Sequence, residues 1–146
     1  MAYEYNIKVA QVGQIVDVTD RTIDSFTAEE VIGYGVALKR GTIPTDQVKL
    51  WAGDINMPMV GVSVFTQTQF TGEYPISSAV SVMSEGRVWV NAETGLTIVA
   101  GQRAYVNVTN GLFTNVATDN LLVGNFLTGG TAQDVLFVLE LNPARI

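Results

Sequence analysis

Turn-forming pairs recur at nearly even intervals through the second half of the chain: Glu85-Gly86, Thr94-Gly95, Ala100-Gly101, Asn110-Gly111, Asp119-Asn120 and Gly129-Gly130. A breaker every 8–12 residues or so is the mark of a sandwich or barrel rather than of alternating strand and helix. The residues between the breakers agree. The chain holds 21 Val and 15 Thr, branched at Cβ and stiff at χ1, which suits a pleated surface. Val60, Val62 and Val64 alternate with Gly61 and Ser63, Val88 and Val90 with Arg87, Trp89 and Asn91, and Val106 and Val108 with Tyr105, Asn107 and Thr109. Asn110-Gly111, between 104–109 and 112–115, predicts a hairpin with a type I′ turn.

The last strand is expected over 134–141. Its unbroken Val135-Leu136-Phe137-Val138-Leu139 suits a central strand buried on both faces, and Pro143 ends it. One stretch has a helical start: Thr27-Ala28-Glu29-Glu30 fits a capping box, but Gly33 and Gly35 limit it to a single turn. Tyr3, Tyr5 and Ile7 alternate ahead of the Val12-Gly13 break, so residues 1–12 are expected to form an extended arm. Residues 13–146 then form one domain, with no linker, charge block or repeat inside it. The predicted fold is all-β, a single-domain jelly-roll-like sandwich or barrel with an extended N-terminal arm; an open β-tulip is the alternative topology.

Composition removes much chemistry. With no His and no Cys, the chain can build no Ser-His-Asp or Cys-His nucleophile, no His or Cys zinc site, no His-ligated haem and no disulfide. A net charge of −6 argues against nucleic acid, which needs a basic footprint. No apolar run is long enough to span a bilayer, and no cleavable leader is expected at Met1. Charged residues make up 15%, against about 25% in an average globular domain. Arg87, Glu93, Arg103 and Asp119 are the only charges between Gly86 and Gln133. Either partner chains cover part of that segment, or it carries a neutral Thr/Asn/Ser surface.

Carboxylates are the remaining acid–base groups. Asp17, Asp20 and Asp24 fall close together, but they show no pairing across a cleft, and a turn with a local Arg21 ion pair explains them better than catalysis. Oxygen ligands could hold Ca²⁺, yet the EF-hand spacing is missing, so no metal or cofactor is expected. Neither a Walker A nor a G-x-G-x-x-G motif is present, and Gly33-Tyr34-Gly35 reads as a turn or strand entry. Trp51, Trp89 and the five Tyr raise a carbohydrate-binding or host-adhesion module as the rival function, with core and interface packing as the plainer role. Asn107-Val108-Thr109 matches a glycosylation sequon but reads as an ordinary strand end.

The order and spacing of a series of short segments resembles the structural cement, or head-decoration, proteins of tailed bacteriophages. The segments are residues 12–17 and 21–25, then 32–37, 60–62, 86–90, 101–106 and 110–113, and finally the apolar last strand. The resemblance covers nearly the whole chain. It implies a small β-barrel or jelly-roll-like sandwich, no catalysis, and attachment to the outside of a phage head in the virion. The expected partners are the major capsid protein and further copies of the chain, as dimer or trimer. Interface residues expected from exposure and patterning are Tyr3, Tyr5, Ile7, Trp89, Tyr105 and Phe137.

Overall fold

The β-branched runs form strands, and no helix occurs among the residues described in this computed structural model, which are 12–16, 21–51, 58–65, 73–130 and 136–141. In chain order the strands are β1 (Thr22–Ala28), β2 (Ile32–Gly33), β3 (Ala37–Arg40), β4 (Gln47–Leu50), β5 (Gly61–Ser63) and β6 (Glu73–Tyr74). Then follow β7 (Ala79–Asn91), β8 (Arg103–Val106), β9 (Phe113–Thr114), β10 (Leu121–Phe126) and β11 (Leu136–Leu141). The main sheet runs β1-β4-β3-β5-β7-β11-β10-β8-β9, and β2 pairs with β6 separately. Because β1 also pairs antiparallel with β7, strands β1, β4, β3, β5 and β7 close into a ring. The remaining strands fan from the far half of β7, and a bridge from Ala92 to Phe113 brings the last of them back to it. The all-β expectation holds in its barrel form. The expected arm lies outside the described residues.

Strand β7 serves both halves because it changes face partway along. Val80 and Val82 pack into one core with Ile32, Tyr34, Leu38, Val48 and Tyr74. Val88 and Val90 pack into a second, larger core with Trp51, Phe113, Phe126 and Phe137. Val80, Val82, Val88 and Val90 are all even-numbered, so a regular strand would put them on one side. A bulge intervenes: Thr22 pairs with Glu85 but Ile23 with Met83, leaving Ser84 extra. Gly86 follows at φ 130°, where a Cβ would lie 3.0 Å from the Arg21 Cβ and 3.1 Å from the Met83 sulfur. Glu85-Gly86 is therefore a bend inside one long strand and not the turn that its sequence suggests.

A second glycine contact holds the inner corner. Gly13 and Gly35 both have positive φ and sit back to back, with a Cβ on either falling within 2.9 Å of the other's backbone nitrogen. The Gly13 N–H donates to Trp89 O (2.6 Å) and its carbonyl accepts from Phe65 N–H (2.7 Å). Ile15 then bridges to Val88, so residues 13–16 run along β7 beyond the start of β1.

Sequence alternation misjudges two places. Val62 and Val64 face the larger core together, but Val60 packs against the smaller one, and Gly61 and Ser63 are buried too. The Ser63 hydroxyl is satisfied there, donating to Gly33 O (2.6 Å) and accepting from Val36 N–H (3.1 Å). The hairpin at Asn110-Gly111 exists, pairing Tyr105 with Thr114 and Val106 with Phe113. Its connection is the six residues 107–112, closed by Gly111 N–H to Asn107 O (2.8 Å), and Gly111 alone has positive φ. It is thus not the two-residue type I′ turn.

Candidate functional site

The charge-poor segment resolves into three loops joined by side-chain amides. They connect β7 to β8, β8 to β9 and β9 to β10. Gln102 Oε1 accepts from Val99 N–H (2.8 Å) and from the Asn115 amide (3.2 Å), and Asn115 also donates to Thr97 O (3.0 Å). Asn120 clamps its neighbours likewise, accepting from Val108 N–H (3.2 Å) and donating to Val116 O (3.0 Å). Asn107 donates to Glu93 Oε1 (2.8 Å), so that one carboxylate is engaged by an amide. Asn and Gln each carry donor and acceptor on one short group, which lets them tie loop backbones without charge.

Among polar and small exposed residues, these tied loops also hold three large apolar side chains outward. Val99 is 59% exposed, Val116 46% and Leu112 41%. A loop normally carries polar residues where it meets water. An apolar side chain on a pinned backbone has little freedom left to lose when a neighbour covers it. The sequence carried this signal only weakly, as Val99, Leu112 and Val116 interrupting otherwise polar turn segments.

Of the residues expected at an interface, the three that are described, Trp89, Tyr105 and Phe137, do not come together. Trp89 and Tyr105 are both half-buried on the outer side of their strands, but β11 and β10 lie between them, a separation of about 14 Å at the usual strand spacing. Beside Trp89, Arg87 and Glu140 face each other across β7 and β11 with an ion pair of 3.2 Å. Phe137 is 2% exposed and packs edge-to-face on Phe126 with ring centroids 5.8 Å apart. Its ring belongs to the chain's own core and offers no contact surface, because it faces Val88, Val90 and Phe126 in the larger core. Phe137, Val138 and Leu139 are all buried, as the apolar run predicts for a central strand. Trp51 is likewise a core residue, at 1% exposure. Tyr3, Tyr5 and Ile7 lie outside the described residues.

Asp17 and Asp20 also lie outside the described residues. Asp24 stands at the mouth of the closed ring beside Phe26 and Arg40, where a cavity of about 280 Å³ opens. The Arg40 guanidinium is already engaged, donating to Pro44 O (2.6 Å) and lying 5.9 Å from the Phe26 ring centre. No group of three or more His, Cys, Asp or Glu that could hold a metal occurs among the described residues.

Comparison with known proteins gives the following. Residues 1–142 match the family described as "Structural cement protein (E217 gp24/Pam3 gp6)". The fold is similar to a chain in the capsid of Myoviridae phage XM1, with a TM-score of 0.73, 14% identity and 89% of each chain covered. It is also similar to the N base of the head fiber gp8.5 in bacteriophage phi29, with a TM-score of 0.54 and 12% identity over 84% of this chain and 95% of that one. No curated protein matches by sequence.

Proposed function

The chain belongs to the family of phage structural cement proteins, and from that premise we propose that it attaches to the outer surface of an assembled head and holds the shell together against internal pressure. The family match over residues 1–142 carries this reading and gives the chain a capsid-associated structural role. The pinned loops with Val99, Leu112 and Val116 support it, since a clamp needs a shaped surface and no chemistry. A protein that binds only the closed lattice stabilises that lattice by mass action. Repetition by symmetry turns modest contacts into high avidity.

The finer assignments are these. The partner is the major capsid protein, copies of the chain join as dimer or trimer, and no catalysis, nucleic acid or membrane is involved. Trp89 and Tyr105 contribute at contacts, together with Tyr3, Tyr5 and Ile7 of the N-terminal segment. Undecorated heads incubated with the purified protein and imaged at low resolution provide the test. The expected result is added density on the outer surface and a higher temperature of head rupture. Heads that gain neither overturn the reading.

A further inference from the structure

The ring mouth continues into a second, more apolar cavity of about 180 Å³, and the two share Pro58, Met59, Val60 and Ser84 as a common wall. Together they form a trough. Phe26 and Val82 line one end, with Asp24 and Arg40 at the rim. Leu121, Leu122 and Leu141 line the other.

Beside the trough runs an open strand edge. On the side away from β7, β1 pairs only through Thr27 and Ala28, with β4. Thr22–Phe26 have no strand partner there among the described residues. The Thr27 N–H points to that side, donating to Asp46 O (2.8 Å), so by strand alternation Ile23 and Ser25 present their N–H and C=O groups outward. An apolar slot beside unpaired main-chain groups is what an added β-strand requires.

The chain itself contains a matching segment. In Met1–Ala10 the odd positions from Tyr3 to Val9 are aromatic or aliphatic, and Glu4, Asn6 and Lys8 are polar. Laid along β1, such a strand turns its apolar set toward the side of Phe26 and Val82. Its polar set then lies on the side of exposed Ser25. The attachment point of the segment argues for a different molecule as donor. Gly13 is bonded to Phe65, at the opposite end of the β5 stretch from Met59. Extended chain between those residues spans about 20 Å, so a segment from the same molecule would spend about half of its residues on reaching the trough and could not lay Ile7 and Val9 in it.

We propose that the trough and the open edge of β1 receive Met1–Ala10 of a second copy as an added strand. This deepens the self-association part of the reading above and does not depend on the shell. The absence of Cys makes a clean test possible. Full-length chains carrying Ser25→Cys are mixed with differently tagged chains carrying Glu4→Cys, Asn6→Cys, Lys8→Cys or, as control, Tyr5→Cys, under mild oxidation.

Adjacent strands bring Cα atoms within disulfide range, so at least one even-numbered position should give a mixed disulfide dimer in high yield, and Tyr5→Cys should not. Met59→Lys in the Ser25→Cys chain should lower that yield by about tenfold or more, because a buried unpaired ammonium opposes docking. Its circular dichroism should match the parent's, which separates lost docking from lost folding. No yield above the control overturns the proposal, as does a chain carrying both Ser25→Cys and Asn6→Cys that closes its disulfide only within one molecule. Wild-type binding to heads, measured alongside, tells failure of this inference from failure of the cement reading.

Discussion

Two regions of this molecule solve the same problem with different chemistry. Around the closed ring, carboxylates tie the loops: Glu29 accepts from Thr42 N–H and lies 3.8 Å from Lys49 Nζ, and Glu30 accepts from Leu50 N–H (3.2 Å). Around β8, β9 and β10, amides do the work, through Gln102, Asn115 and Asn120, with the Glu93 carboxylate entering only through Asn107. Carboxylate ties depend on pH and salt, whereas ties from an amide to backbone or to another amide depend on neither. Both regions present large apolar side chains to solvent, Val99, Leu112 and Val116 beside the amide ties and Val31, Ile43, Leu50 and Ile76 around the ring. A surface meant to be covered gains from ties that carry no charge, since burying a charge during docking costs several kcal/mol or more unless it is paired.

The two regions share one strand, and the sharpest way to break the comparison is to damage it. Gly86→Val places a Cβ at φ 130°, with Arg21 and Met83 about 3 Å away. Backbone strain of this kind costs on the order of 1–3 kcal/mol, and the crowding adds to it. Because β7 supplies Val80 and Val82 to one core and Val88 and Val90 to the other, both should melt together at a lower temperature. Calorimetry showing two separated transitions would instead make the halves independent units.

Gln102→Ala is expected to act locally. It removes the acceptor shared by Val99 N–H and the Asn115 amide, a change of about 1–2 kcal/mol by the usual worth of hydrogen bonds. Amide hydrogen exchange should quicken at 97–102 and near Asn115, while the ring stays protected. Equal quickening near Thr42 would mean that the amide network is not a separate unit.

How much of this was legible beforehand follows from the range of each interaction. Strand content, the burial of the last strand and the charge-poor segment depend on local residue types, and the sequence displays them directly. The bend at Gly86 was misread as a turn because a positive-φ glycine looks the same in either, and only the register between β1 and β7 separates them. Phe137 reads as a contact in the sequence because an apolar run that faces the chain's own core looks like one covered by a neighbouring molecule. The amide ties were invisible for a related reason. Gln102 and Asn115 are 13 positions apart, and nothing in either residue names its partner.

The smallest expected effect separates the two chemistries most cleanly. The hydrogen bond from Thr42 N–H, followed by that from its hydroxyl and the nearby Lys49 ammonium, holds the Glu29 carboxyl below its ordinary value. A carboxyl lowered on folding adds stability above its unfolded value, about 4.3, and that contribution disappears as pH falls through the lower folded value. Acid should therefore loosen the hairpin between β3 and β4 before it touches the amide-tied loops. Following amide signals by NMR between neutral pH and about pH 3 should show Thr42 and Lys49 shifting first, with Val99, Asn115 and Val116 unmoved. Glu29→Gln keeps an acceptor without the charge, so it should remove the acid response at Thr42 while leaving the neutral-pH structure in place. If the amide-tied loops respond at the same pH as the hairpin, the division between the two regions fails.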